Sequence, residues 1–74
     1  MALRTLSLQR QALNDIRARG FRNERVTLHD SSPDYDVEAT NADGDVAIVE
    51  VRYQRSGSDS YGKIASVTTT IARA

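Results

Sequence analysis

The first part of the chain repeats hydrophobic residues with the period of an amphipathic helix. At 100° per residue, one broad face carries Leu6, Leu8, Ala12, Leu13 and Ile16. We therefore predict a helix over roughly residues 5–19, with Thr5 or Ser7 at its N-cap. Gly20 follows where a residue with positive φ commonly ends a helix, and Phe21 is placed to make the apolar contact that accompanies such an ending.

Three segments then show the patterns of β-strands. Residues 25–29 and 34–40 alternate apolar and polar side chains, as half-buried strands do. Residues 46–53 are almost continuously apolar, which is typical of a central strand. The dipeptide Asp43-Gly44 between the last two segments predicts a hairpin turn.

The last part of the chain carries an ambiguous pattern. Its hydrophobic residues recur at helical spacing, at Ile64, Val67 and Ile71. We predict a second helix here, after a polar loop at residues 55–62 in which Ser58 or Ser60 would be the N-cap. The β-branched run at residues 67–71 also suits a strand. The expected fold class is α+β with an α/β-type core, in the order helix, three-stranded sheet, helix.

Length and composition indicate one small domain, residues 1–74. Only 16 residues are Leu, Ile, Val or Phe, and a chain this short buries only about 60% of its unfolded surface. The absence of cysteine and the single histidine exclude disulfides, thiolate metal sites and zinc sites built from several histidines. No apolar run approaches the ~20 residues of a membrane span. We expect a cytoplasmic protein that contacts no membrane and gains stability as a homodimer or larger homo-oligomer.

The net charge of zero hides a strong asymmetry along the chain. Residues 1–29 carry a net charge of +4, residues 30–50 a net charge of −7 with no Lys or Arg, and residues 51–74 a net charge of +3. One interpretation is a solvated acidic hairpin that pairs with arginines of the neighbouring helix. The other is a carboxylate pocket for a divalent cation, rimmed by arginines that hold phosphates.

Two carboxylates on adjacent predicted strands form the candidate site. A hairpin that turns at residues 43–44 brings Asp36 and Glu50 opposite each other, and Arg52 shares the face of Glu50. Mg²⁺ prefers hard oxygen ligands, often one or two carboxylates, and a nearby cation stabilises charge that develops on a phosphate. This predicts a metal-dependent phosphodiesterase with Asp36 and Glu50 as metal ligands and Arg52 as a third catalytic residue. In the competing interpretation, Arg52 bridges the two carboxylates and leaves no room for a metal.

Four segments resemble a known family: residues 16–21, 26–27, 34–39 and 46–53. Together they are similar to the restriction-endonuclease-like (PD-(D/E)xK) superfamily, especially to Mrr-like restriction endonucleases and archaeal Holliday-junction resolvases. The resemblance covers roughly residues 8–56 and implies a reduced form of that core, with a Mg²⁺-dependent hydrolase activity on DNA. It places the metal-binding aspartate of the family on Asp36, with Asp34 as the alternative, and the second metal-binding acid on Glu50.

The chain departs from this family at two points. The lysine of the family motif is replaced by Arg52, which cannot be deprotonated, so the resemblance implies either a nuclease or a degenerate, DNA-binding relative. The fourth strand of the family core is missing from the predicted element order. Arg55 and Lys63, on either side of the polar loop, are further candidate contacts for nucleic-acid phosphates, together with Arg52.

Two other classes of function stay open. The first is a non-catalytic nucleic-acid-binding module, because the predicted element order also resembles double-stranded-RNA-binding domains. The second is a small homo-oligomeric interaction protein. His29, beside Asp30 at the end of a strand, is expected to be a surface residue rather than a catalytic base. Tyr53 is expected to pack in the core or an interface rather than to stack on a base.

Overall fold

The computed structural model of the chain describes residues 7–30, 32–56 and 60–74, without the side chains of residues 56, 60 and 61. Within these ranges it contains one helix and four strands: α1 (Leu8–Ala18), β1 (Arg22–Leu28), β2 (Tyr35–Thr40), β3 (Val46–Ser56) and β4 (Ser60–Ala72). The strands form an antiparallel sheet in chain order, and α1 packs on one face of it, against β3 and β4. We call the other face of the sheet the open face.

The predicted first helix is confirmed, and hydrogen bonds define where it begins and where it ends. The Ser7 hydroxyl accepts a hydrogen bond from the backbone N–H of Arg10, so Ser7 is the N-cap; Thr5 lies outside the described residues. Gly20 has a φ of 95°, and its N–H donates to the Arg17 carbonyl while the Phe21 N–H donates to the Ile16 carbonyl. These two bonds form a Schellman ending, in which Phe21 and Ile16 supply the apolar contact.

The predicted hairpin between β2 and β3 is also confirmed. Its turn is built on Asn41, whose side-chain oxygen accepts hydrogen bonds from the N–H groups of Asp43 and Asp45. The Asn41 carbonyl accepts a third bond, of 3.1 Å, from Gly44. Gly44 has a φ of 83°, a conformation that glycine adopts without steric cost. The turn sets a regular register over six residue pairs.

The core lies between α1 and the sheet. Its buried side chains come from alternate positions of the two central strands and from the end of the helix: Ile16, Phe21, Val37, Ala39, Ala47, Val49 and Val51. Edge strand β1 takes little part, because its apolar residues Val26 and Leu28 remain 60% and 76% exposed. Among the described residues, no helix is long and apolar enough to span a bilayer.

The predicted second helix is wrong, and with it the helix–three-strand–helix core of reduced restriction-endonuclease-like form. Residues 60–72 form β4, which makes the protein mostly β. The register passes from Arg52 opposite Ser66 to Tyr53 opposite Ile64, so Ala65 is an extra residue on β4. This bulge turns Ile64 and Val67 toward the same face although they are three residues apart. The spacing that imitates a helix is therefore the spacing of a bulged strand.

Two smaller predictions concern this same segment. Ser58, a proposed N-cap, lies outside the described residues. Ser60, the other proposed N-cap, begins β4 instead. The hydrogen bonds that the last segment needs come from β3, whose 11 residues offer a long partner edge. A helix made of the β-branched residues 67–71 would have no such gain to offset its restricted side-chain rotamers.

Candidate functional site

Asp36 and Glu50 lie directly opposite each other in the pairing of β2 with β3. Both side chains are on the open face, because their strand neighbours Val37, Val49 and Val51 point into the core. Opposed residues of an antiparallel pair have Cβ atoms only about 5 Å apart, so two carboxylates here repel unless a cation lies between them. The predicted opposition of Asp36 and Glu50 is thus present. The chemistry of the site depends on which cation lies between the two carboxylates.

The guanidinium of Arg52 is that cation. Its Nη1 donates to Asp36 Oδ1 at 3.0 Å, and its Nη2 donates to Glu50 Oε2 at 2.7 Å. Nη1 also lies 3.1 Å from the Val51 carbonyl oxygen and 3.4 Å from that of Tyr35. The hydrogen bond with Asp36, and the charges of Asp36 and Glu50, raise the pKa of Arg52 further above its already high value. Arg52 therefore remains a cation held between two carboxylates at any ordinary pH.

His29 binds the other oxygen of Asp36. Its Nε2 lies 3.1 Å from Asp36 Oδ2, so the carboxylate has a partner on each oxygen. Burial raises the pKa of Asp36, but the hydrogen bonds with His29 and Arg52 outweigh it, and the net result is a lowered pKa. His29 is a surface residue, as predicted, yet sequence reasoning missed its contact. Strand alternation places His29 on the same face as Thr27, but the β1–β2 register that sets Thr27 opposite Asp36 comes from the structure and not from the sequence.

Asp34, the alternative metal-binding aspartate, has a backbone partner. Its Oδ1 accepts a 2.8 Å hydrogen bond from the N–H of Tyr53, and its own N–H donates to the Ser32 hydroxyl. Tyr53 lies two residues beyond the last β2–β3 pair, Tyr35 with Val51, at the point where the β3–β4 register shifts. Asp34 therefore continues the attachment of β2 to β3 past the end of the regular pairing.

The residues at this site do not fit a divalent cation as they are arranged. A metal ion between Asp36 and Glu50 would have to displace the Arg52 guanidinium, which donates to Asp36 Oδ1 and Glu50 Oε2. Across residues 7–30, 32–56 and 60–74, no three His, Cys, Asp or Glu side chains are grouped so as to hold a metal ion. The predicted roles of Asp36 and Glu50 as Mg²⁺ ligands and as catalytic residues, with Arg52, stay predictions that the geometry does not favour.

The two other candidate phosphate contacts lie away from this cluster along the β3–β4 hairpin. Arg55 is opposite Tyr61, beyond both register shifts, and Lys63 is exposed on β4. Arg52 itself is engaged by the two carboxylates. The three cations predicted to bind nucleic acid are thus spread along one hairpin, and that role stays a prediction.

The resemblance to the restriction-endonuclease-like superfamily stays a prediction from the sequence segments described above, and β4 replaces the helix expected after the third strand. Comparison of the chain with models of known protein families, with curated proteins and with solved structures finds no match.

Proposed function

We propose that this chain is a non-catalytic interaction module that works as a homo-oligomer, in which Asp36, Arg52 and Glu50 have a structural role. The observation that carries this proposal is the pair of hydrogen bonds from the Arg52 guanidinium to both carboxylates. Arginine neither accepts a proton from water nor leaves space for a metal ion between the acids. Arg52 therefore cannot act as a general base, and a metal ion could activate a nucleophile between the two acids only after displacing the guanidinium.

The composition of the open face argues against a nucleic-acid surface. Its charged residues on the three strands β1 to β3 are mostly acidic, with Asp36, Glu38 and Glu50 against Arg25 and Arg52, while the Arg22 guanidinium donates to the Arg17 and Phe21 carbonyls at the end of α1. Tyr35 and Tyr53 pack against the core on the helix side. Binding of single strands relies on a basic groove with exposed aromatic rings, and binding of duplexes relies on clustered cations. The described open face offers neither.

The architecture supports assembly. A four-stranded open sheet has two edge strands, each with a row of backbone N–H and C=O groups that point away from the sheet. The buried core of the described residues consists of seven side chains, two of which are alanines. A core of this size gives little stability, and burial against a second copy adds to it. A chain without cysteine also fits a reducing compartment, which keeps the cytoplasm as the proposed location.

Sedimentation equilibrium at micromolar concentration, combined with metal titration, tests this proposal. We expect a dimer or larger assembly for the parent chain. We also expect no Mn²⁺ binding by calorimetry and no DNA cleavage for the parent or for Arg52→Lys, which restores the lysine of the nuclease motif. A cooperatively folded monomer at all concentrations would refute the assembly. Metal-dependent cleavage by either protein would instead establish the nuclease hypothesis.

A further inference from the structure

The two edges of the sheet differ in how well they are protected against pairing. Edge strand β1 has a bulge between Arg22 and Arg25, where Asn23 takes a φ of 60°. It also carries three charged side chains within four residues, of which Glu24 is ion-paired with Arg17 of the helix. Bulges and charges are the features by which proteins keep an edge strand from pairing with another chain.

Edge strand β4 has no such protection over its second half. From Ile64 to Ala72 it carries no charged side chain, and Lys63 and Arg73 flank this stretch. Its pairing with β3 is regular from Ser66 to Ala72, since the register shifts all lie closer to the start of the strand. A long, regular and uncharged edge is the kind that recruits another strand.

We propose that β4 pairs in antiparallel fashion with β4 of a second copy, about a two-fold axis at Thr69. This inference rests on the proposed function and names its surface. Thr69 is the centre of the regular run of seven residues that begins at Ser66. A two-fold axis there sets Val67 opposite Ile71 of the second copy on the helix side, and Thr68 opposite Thr70 on the open face.

This register is self-complementary on both faces of the joined sheet. Val67 and Ile71 are partly buried in the single chain, and each gains an apolar neighbour from the second copy. Cross-strand pairs of threonine are favourable in sheets. An axis at Thr68 or Thr70 would instead set Val67 or Ile71 opposite Thr69, which pairs an apolar with a polar side chain.

The assembly closes at two copies. The joined sheet has eight strands, with the two β4 strands at its centre and the two β1 strands at its outer edges. Because α1 packs on β3 and β4, both helices lie on the same face, on either side of the junction. The outer edges are then the bulged and charged ones, which do not recruit further strands.

Self-pairing of β1 is the main competing arrangement. An axis at Thr27 would bring the exposed Val26 opposite Leu28 of the second copy, which is favourable. The regular part of β1 covers only four residues, Arg25 to Leu28, because the bulge lies before Arg25, whereas the regular part of β4 covers seven. The shorter regular edge favours β4 over β1.

Single-cysteine variants test the junction, since the chain has no cysteine of its own. Opposed residues across an antiparallel pair have Cα atoms about 5 Å apart, within the range of a disulfide. We expect Thr69→Cys to form a disulfide-linked dimer under mild oxidation. Ala65→Cys, on the same strand, is the matched control, because the two cysteines would lie about 27 Å apart. Thr27→Cys reports on the β1 alternative, and neither control is expected to cross-link at the rate of Thr69→Cys.

A charge-swap pair provides a second, non-covalent test. The double variant Thr68→Lys with Thr70→Lys sets lysines opposite each other across the junction, and we expect it to sediment as a monomer. The double variant Thr68→Lys with Thr70→Glu changes the same positions but sets opposite charges together, and we expect it to remain a dimer. Circular dichroism checks that both variants are folded.

The outcomes separate this inference from the proposed function. A parent dimer in which Thr27→Cys cross-links and Thr69→Cys does not would overturn the β4 junction and leave the homo-oligomeric module standing. A parent dimer that persists in both charge variants would also overturn the β4 junction. A parent monomer would refute the proposed function itself.

Discussion

Arg52 on β3 and Asp36 on β2 are joined by a 3.0 Å hydrogen bond from Nη1 to Oδ1 on the open face of the sheet. The Arg52 side chain is 31% exposed and that of Asp36 is 25% exposed, so water only partly screens their attraction. Because the same guanidinium also binds Glu50, the repulsion between the two acids becomes an attachment between neighbouring strands. The candidate site thus joins the two strands of the hairpin that contains it.

Loss of Arg52 should destabilise the protein more than loss of its partners. Arg52→Met leaves Asp36 and Glu50 opposed with no cation between them, and like charges that face each other across a sheet repel. We expect Arg52→Met to have a clearly lower Tm than the parent chain. The double variant Arg52→Met with Asp36→Asn should show a much smaller decrease relative to the parent, because only one charged acid then remains. Thermal unfolding of the two single variants and the double variant forms the cycle that measures this coupling. Strictly additive effects would show that the contact does not matter.

The stability should depend on the ionisation of Asp36 at low pH. Its pKa in the folded chain is lower than the ordinary value of 3.8, because hydrogen bonds with His29 and Arg52 outweigh its burial. A lowered pKa stabilises the fold above the ordinary value, and this stabilisation is lost as the pH falls through the lowered pKa. The free energies of unfolding of the parent and of Asp36→Asn should therefore differ most above the ordinary value of 3.8 and converge as the pH falls below the lowered pKa. A difference that does not vary with pH would contradict this assignment.

Truncation of the core should be far more costly than truncation of the β1 edge. Ile16 is fully buried between α1 and the sheet, so Ile16→Ala is expected to cost about 2–5 kcal/mol. Val26 is 60% exposed, and Val26→Ala is expected to change the free energy of unfolding by less than about 1 kcal/mol. Urea denaturation at one protein concentration measures both values. An equal loss for both variants would indicate that Val26 is buried in an interface, as in the β1 alternative.

The end of α1 should tolerate asparagine better than alanine at Gly20. A Cβ atom at this position would meet no atom within 4 Å, so the cost of Gly20→Ala comes from the φ of 95° alone. We expect a loss of roughly 1–2 kcal/mol for Gly20→Ala. Gly20→Asn should lose less, because asparagine adopts positive φ more readily. Chemical denaturation compares the two, and an equal loss would point to a cause other than backbone conformation.

The sequence by itself determined the features that depend on near neighbours in the chain. Ser7 and Gly20 bound the first helix through hydrogen bonds within one turn of it. Gly44 and its flanking residues set the β2–β3 hairpin, and a two-strand register follows directly from its turn. The opposition of Asp36 and Glu50 could therefore be predicted from the positions of the residues alone.

Only the tertiary structure decided the last strand and the partners of the acid pair. The spacing of Ile64, Val67 and Ile71 fits a helix as well as a bulged strand, and the free edge of β3 selected the strand because it supplies backbone partners along its length. The register of β1 against β2 brought His29 to Asp36, although these residues belong to separate predicted strands. The sequence left two predicted roles open for Arg52, as a catalytic residue or as a bridge between the two carboxylates. Its rotamer between the carboxylates depends on side chains from both β2 and β3. Such choices depend on contacts between distant segments, which local propensity does not encode.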